Sequence, residues 1–238
     1  MSDESALQRR ASQNREIVPM LDWGLVIFDN DGVLVDSELL ANTALVESLG
    51  SFGVVLTVEE SMQRYLGSSL ESVRQSICGM TGKALPREFE DRYHELLFRA
   101  FSSQLRTVPG SDVTVETLHR LSVPFCVASS GDHVRIRRAL EIVGLLGCFE
   151  GRIFSAQDVA RGKPAPDLFL YASERMNVEP QRCVVIEDSP AGVSAARAAG
   201  MFVIGFAART DRDTLYQADL ICTSHQEVLA TLLRTWGK

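Results

Sequence analysis

A doubly wound α/β fold, its parallel sheet covered on both faces and interrupted by one helical insertion, is predicted by three features of this 238-residue chain. Apolar runs of strand length recur between amphipathic stretches, which is the pattern of βαβ units. The runs ending at Phe28, Ala128 and Ile186 are unbroken rather than alternating, as strands buried on both faces are. The alternation lapses once, from Glu38 to roughly Phe101, where strand signals nearly vanish.

In chain order, the first strand is expected at 23–28. Ala41, Leu45 and Leu49, then Phe89, Tyr93, Leu96 and Ala100, recur at helical spacing and mark amphipathic helices, with Gly50 placed to end the first. After Pro109 and Gly110 come a helix near 112–121, a strand at 123–128 and a helix carrying Ile136, Leu140 and Val143, for which Ser130 or Asp132 is the candidate cap. A short strand at 152–154, a helix at 167–176, a strand at 183–186 and an alanine-rich helix follow. Gly200 stands where a helix-terminating glycine belongs, before strands near 201–205 and 219–222. The implied organisation is a polar tail at 1–20, a core built from 21–37 and 106–238, and a small helical cap at 38–105 with hinges near 36–38 and 101–109.

Composition sets the class. With 45% hydrophobic residues the chain can bury a full core. A net charge of −7 argues against nucleic acid, whose backbone demands clustered Lys and Arg. No apolar run approaches the length of a membrane span, and the opening residues are too polar for a signal peptide. Five cysteines, at 78, 126, 148, 183 and 222, form no CxxC pair and mostly lie inside apolar runs, so buried free thiols in a reducing cytoplasm are expected. Arg9, Arg10 and Arg15 admit a targeting presequence, but a solvated tail is the reading preferred here.

The chemistry starts at Asp29 and Asp31, two carboxylates directly after a strand. In open parallel sheets ligands lie outside the carboxyl ends of the strands, so both should face one. Crowded carboxylates repel unless a cation neutralises them. The pair alone is weak, since acidic doublets also sit on loops. Three further hits strengthen it: Ser129, Ser130 and Gly131 after the second strand, Lys163 in the loop Gly162-Lys163-Pro164, and Glu187 with Asp188 after a later strand. Singly, Ser129 reads as a helix cap, Lys163 as a solvated loop cation, and Glu187 with Asp188 as a surface acidic pair. Together they make a phosphate and metal site. A carboxylate attacking an anionic phosphate ester needs a cation bridging the two, and the absence of a His or Cys cluster favours a hard ion, Mg²⁺, with Asp29 and Asp188 as ligands.

Asp29-Asn30-Asp31-Gly32-Val33-Leu34-Val35-Asp36-Ser37-Glu38 and Gly162-Lys163-Pro164-Ala165-Pro166-Asp167 are near-literal forms of signatures of the haloacid dehalogenase superfamily, which this sequence resembles from 26 to 188. The resemblance implies a Rossmann-like core with a helical cap, and a phosphatase that works through an aspartyl phosphate on Asp29. It implies Asp31 as general acid and base, a role that needs a carboxyl whose pKa the environment can raise. Asp31 would also meet the metal through its backbone carbonyl. Ser129, Ser130 and Lys163 would hold the phosphoryl oxygens, and Asp29, Asp31, Asp188 and Glu187 the Mg²⁺, with Glu187 ranked below Asp188. True dehalogenases replace the second Asp, so Asp31 favours phosphoryl chemistry. The β-phosphoglucomutase branch carries a His and a cap-loop Arg where Ala41 and Leu70 stand here, which favours hydrolysis over isomerisation. A receiver-like noncatalytic phosphoacceptor is the alternative of another class, but receivers are about half this length and lack the insertion. The expected partner is a small phosphorylated metabolite, with a sugar phosphate or phosphogluconate-like compound leading. The protein itself is expected as a monomer or homodimer. His133, in the first turn after the Ser129 motif, is weighed as a substrate contact and set below an ordinary helix position, and Arg64 and Arg74 are read as solvated cap arginines around Gly67.

Overall fold

The computed structural model describes residues 23–235, so the polar tail expected at 1–20, with Arg9, Arg10 and Arg15, lies outside the described residues. Among the described residues, six parallel strands carry the fold: β1 (Leu25–Phe28), β2 (Phe125–Ser129), β3 (Ile153–Ser155), β4 (Cys183–Glu187), β5 (Phe202–Phe206) and β6 (Leu220–Cys222). They stand in the order β3-β2-β1-β4-β5-β6. The order reverses beside β1, where a doubly wound sheet opens its ligand crevice.

Alternation within the strands explains why their sequences read as unbroken apolar runs. Leu25, Ile27, Cys126, Ala128, Cys183 and Val185 point to one face, where they join Leu168 and Phe169 of α8 (Asp167–Arg175) and Val193 and Ala196 of α9 (Pro190–Ala198). Val26, Phe28, Phe125, Val127, Val184 and Ile186 point to the other. There they meet α5 (Ser111–Arg120), α6 (His133–Ile142), the short α7 (Leu146–Phe149) and α10 (His225–Thr235). Both faces are dry, so each strand position takes an apolar side chain. The helix α10 has no counterpart in the sequence expectations. The predicted cap of α6 is Asp132, which accepts from the Arg135 amide at 2.8 Å, and Gly200 ends α9 with a φ of +74°.

The insertion between β1 and β2 holds four helices where the sequence pattern marked two: α1 (Glu38–Ser51), α2 (Val58–Tyr65), α3 (Leu70–Thr81) and α4 (Glu88–Gln104). Leu45 and Leu49 of α1 pack against Phe89 and Tyr93 of α4, and Phe89 meets Phe52 edge-on at 6.1 Å. Gly50, expected to end α1, lies inside its last turn; the reversal occurs at Gly53, which takes a φ of +79°. The short α2 opens with a reciprocal cap: Thr57 Oγ1 accepts from the Glu60 amide at 3.1 Å, and the Glu60 carboxylate accepts from the Thr57 amide at 2.8 Å. Thr57→Ala is expected to lower the unfolding free energy by about 1 kcal/mol in urea denaturation. A change within experimental error would show that α2 is held by packing alone.

All five cysteines are free; Cys126, Cys183 and Cys222 are buried, whereas Cys78 is exposed. Among the described residues, no helix is long and apolar enough to cross a membrane.

Candidate active site at the carboxyl edge of the sheet

β1 and β4 are neighbours at the centre of the sheet, with Phe28 opposite Ile186, and the Asp29 amide donates to the Ile186 carbonyl at 3.0 Å. This register brings Asp29, immediately after β1, beside Glu187 and Asp188 at the end of β4. Lys163, from the loop between β3 and α8, reaches them from the side. Its Nζ donates to Asp29 Oδ1 at 2.6 Å and to Glu187 Oε2 at 2.7 Å, and lies 4.9 Å from the centre of the Phe169 ring. The Lys163 side chain is 1% exposed, which overturns the solvated-cation reading of it. Burial works against the ammonium, but Asp29 and Glu187 outweigh it and hold Lys163 protonated.

One lysine is shared among several buried carboxylates. Oxygens of Asp29, Glu187 and Asp188 all lie within 4.8 Å of one another, and all three residues are buried. Burial pushes the Asp29 carboxyl up to about 8 against the pull of Lys163, with Glu187 and Asp31 adding repulsion. Asp188 is raised well above the carboxylate range, again by burial first and then by Glu38, Glu187 and Asp29. Glu38, from the first turn of α1, shares a hydrogen bond with Asp188 and is raised as well. Gly32 is required here on two counts: its φ is +75°, and a Cβ at this position would collide with the Asp188 carboxylate. Hard oxygen donors with uncompensated negative charge, buried together in one crevice, fit a divalent cation.

Asp31 turns away from that cluster. Its Oδ1 accepts from Arg135 Nη2 at 2.6 Å and from the Ser37 hydroxyl, and its Oδ2 stands 3.5 Å from Ser129 Oγ. Its carboxylate is therefore not among the clustered ligands, and the metal contact expected of Asp31 rests on its backbone carbonyl. The expectation of a raised carboxyl also meets a difference. Burial favours the neutral acid, yet Arg135 and the hydrogen bonds from Ser37 and Arg135 hold Asp31 below its ordinary value. Arg135, in α6, is the residue that sequence reasoning missed. Its signal was position alone, six residues after Ser129 and one helical turn beyond the cap Asp132. His133, weighed instead, points its Nε2 to Asp158 at 2.8 Å and does not line the crevice. The turn after Asp31 is tied down from a distance, because buried His225 of α10 donates from Nε2 to the Val33 carbonyl at 2.8 Å.

A chamber of about 50 Å³ lies over these groups, lined by Asp29, Asp31, Ser129, Ser130, Arg135 and Lys163 and roofed by the insertion. The insertion touches the core directly at Gly67. With a φ of +70°, its Cα lies so near Ser189 that a Cβ would approach the Ser189 hydroxyl to 2.8 Å. Ala41 and Leu70 line the chamber, presenting aliphatic side chains to it. Arg64 is exposed, and Arg74 bonds the Leu85 carbonyl at 2.8 Å, outside the chamber.

A family profile described as haloacid dehalogenase-like hydrolase matches residues 23–200. The chain belongs to this family. A 6-phosphogluconate phosphatase of Escherichia coli K12 is 30% identical over 89% of this chain and 95% of its own length. Hexitol phosphatase A of the same organism is 30% identical over 86% of this chain and 93% of its own. Among solved structures, a haloacid dehalogenase-like protein of unknown function from Agrobacterium tumefaciens is 32% identical, with a TM-score of 0.71 over 90% of this chain and 100% of that one. The six-stranded parallel sheet and the profile match together establish the haloacid dehalogenase fold, and the receiver alternative is set aside because the hydrolase carries its acidic pair after the first described strand of a larger sheet.

Proposed function

We propose that the hydrolase is an Mg²⁺-dependent phosphatase that cleaves a small phosphorylated metabolite through an aspartyl phosphate on Asp29. The observation carrying this reading is the convergence of Asp29, Glu187, Asp188 and buried Lys163 beside Ser129 at the reversal point of the sheet. Asp29, Glu187 and Asp188 would hold the cation, which when bound neutralises the site and polarises the phosphoryl group. Asp29 Oδ attacks phosphorus while Lys163, Ser129 and Ser130 steady the phosphoryl oxygens. The bond from phosphorus to the leaving oxygen breaks as Asp31, reacting from the protonated form that Arg135 and Ser37 disfavour, gives up its proton and returns to the carboxylate. Asp31, held anionic by Arg135, then takes a proton from the water that cleaves the acyl phosphate. Residues 38–105 act as a cap, excluding bulk water and limiting substrate size.

Relatives named for 6-phosphogluconate and for hexitol phosphates support a sugar-phosphate substrate class. Isomerisation by phosphoryl transfer would need a second phosphate anchor, and Ala41 and Leu70 supply no donor for one. The test is phosphate release from a panel of sugar phosphates, nucleotides and phosphogluconate, with Mg²⁺ and with EDTA. β-Glucose 1-phosphate is included and assayed for isomerisation. Release that EDTA abolishes is expected; accumulation of glucose 6-phosphate without phosphate would select the mutase instead. Mg²⁺ at about 100 times its Kd should stabilise the fold by roughly 2.7 kcal/mol and raise the melting temperature by roughly 5–10 °C. An unchanged melting temperature at millimolar Mg²⁺ would remove the metal from the site.

A further inference from the structure

Behind the small chamber opens a larger cavity of about 340 Å³, between α3 and α4 on one side and the start of α6 on the other. Leu70, Ser130, Gly131 and Arg135 line both spaces, so the two adjoin across these residues. Arg135 stands at the junction. Its Nη2 is on Asp31, its Nη1 donates to the Tyr93 hydroxyl at 3.1 Å, and its Nε, although buried, has no hydrogen-bond partner among the described residues. An unpartnered buried guanidinium N–H is costly and waits for an acceptor. In the phosphatase reading, Asp31 meets the leaving oxygen, and because a chamber of about 50 Å³ is too small for a whole polyol, the cavity of about 340 Å³ beside Arg135 is the space that can receive the rest of the leaving alcohol.

The charge around that cavity is lopsided. Glu71, Glu90 and Asp132 line it, and Arg135 is the one cation that does so among the described residues. Arg135 is already paired with Asp31, and Arg74 nearby is shared between Glu90 at 3.5 Å and Glu71 at 4.0 Å. Four carboxylates, counting Asp31, therefore stand against two guanidinium groups, with His94 on Asp132 at 2.8 Å and the neutral Ser69, Ser130 and Gln157 completing the polar lining. Hydroxyls satisfy such a wall as both donors and acceptors, whereas a second anion meets net repulsion.

We propose that this cavity is the leaving-group subsite, that Arg135 donates to a hydroxyl of the leaving alcohol, and that its acidic wall selects phosphates of neutral polyols over phosphates of sugar acids. The inference rests on the phosphatase reading and names its substrate class. Glucitol 6-phosphate and gluconate 6-phosphate test it, since they differ only in a terminal CH₂OH against a carboxylate, with p-nitrophenyl phosphate as a substrate that lacks a polyol. The wild-type enzyme should favour the glucitol ester by about tenfold or more in kcat/KM, and the ratio should shrink as added KCl screens the exposed Glu71 and the partly exposed Glu90. Replacing both as Glu71→Gln and Glu90→Gln should narrow the ratio by about threefold or more, chiefly through KM for the acid. Equal or faster turnover of the gluconate ester overturns the inference while leaving the phosphatase reading intact. A ratio unmoved in a folded double variant overturns the assignment of the acidic wall. Silence on all three substrates with Mg²⁺ overturns the phosphatase reading, and the subsite with it.

Discussion

Asp29→Asn is expected to lower turnover by about four orders of magnitude or more while the protein stays folded. The amide keeps the shape of the carboxylate but lacks an anionic oxygen to attack phosphorus, and the other carboxylates of the chamber are engaged elsewhere, Glu38 by its hydrogen bond with Asp188. Glu187 is engaged by Lys163 and by the Ser189 amide and hydroxyl, and Asp31 is clamped by Arg135. Stability should move the opposite way. Burial and the neighbouring carboxylates raise Asp29 to about 8, so at neutral pH its ionised form is disfavoured in the metal-free fold. Removing that charge is expected to leave the melting temperature in EDTA unchanged or higher. Phosphate release and calorimetry on one preparation check both halves. A near-normal rate would transfer the nucleophile's role elsewhere.

Lys163→Met is expected to destabilise the metal-free hydrolase by about 3–5 kcal/mol, because it strips the ammonium from two buried carboxylates that it now touches. The loss depends on pH with a definite sign. A carboxyl raised on folding contributes stability that is present below its ordinary value, 3.8 for Asp29, and is lost as pH climbs through about 8. Asp188 and Glu38, also raised, act in the same direction. The wild-type protein in EDTA should therefore weaken from about pH 4 to pH 8, and the variant should weaken more steeply. Asp31 has the opposite sign: its carboxyl is lowered, so its contribution is present above 3.8 and fades only in acid. Urea denaturation at pH 5 and pH 8.5, with EDTA and with Mg²⁺, separates these effects. Equal stability of variant and wild type at pH 8.5 in EDTA would mean that the Lys163 bridge carries no net free energy. Recovery of the variant by Mg²⁺ would place the cation's charge in the same crevice.

The strands were readable in advance because a fully buried strand needs no partner to declare itself: Cys183–Glu187 is apolar until its last residue, whichever helices cover it. The long helices of the insertion were readable for a similar reason, with α4 repeating its buried positions Phe89, Tyr93, Leu96 and Leu97 at helical spacing. Helices α2 and α3 were not, since α2 buries only Ser61 and Tyr65 and takes its definition from the Thr57 cap, and α3 buries only Val73 and Ile77. Helix α10, near the end of the chain, went unmarked, yet it supplies His225, which holds the turn after Asp29 and Asp31.

The sequence by itself determined the sheet, the insertion and the acidic, hydroxyl and lysine residues at strand ends, because strand burial and strand-end chemistry are local properties written in consecutive residues. Tertiary structure alone decided what those residues do to one another. Lys163 becomes a buried bridge only when its loop, 134 residues from Asp29 in sequence, closes over β1 and β4. Arg135 turns Asp31 into a held anion only because α6 begins just after β2, the strand paired with β1, and α4 offers Tyr93 as its second support. Charge, hydrogen bonding and desolvation act through distances of a few ångströms, and such distances between residues remote in the chain exist only once the sheet order is set.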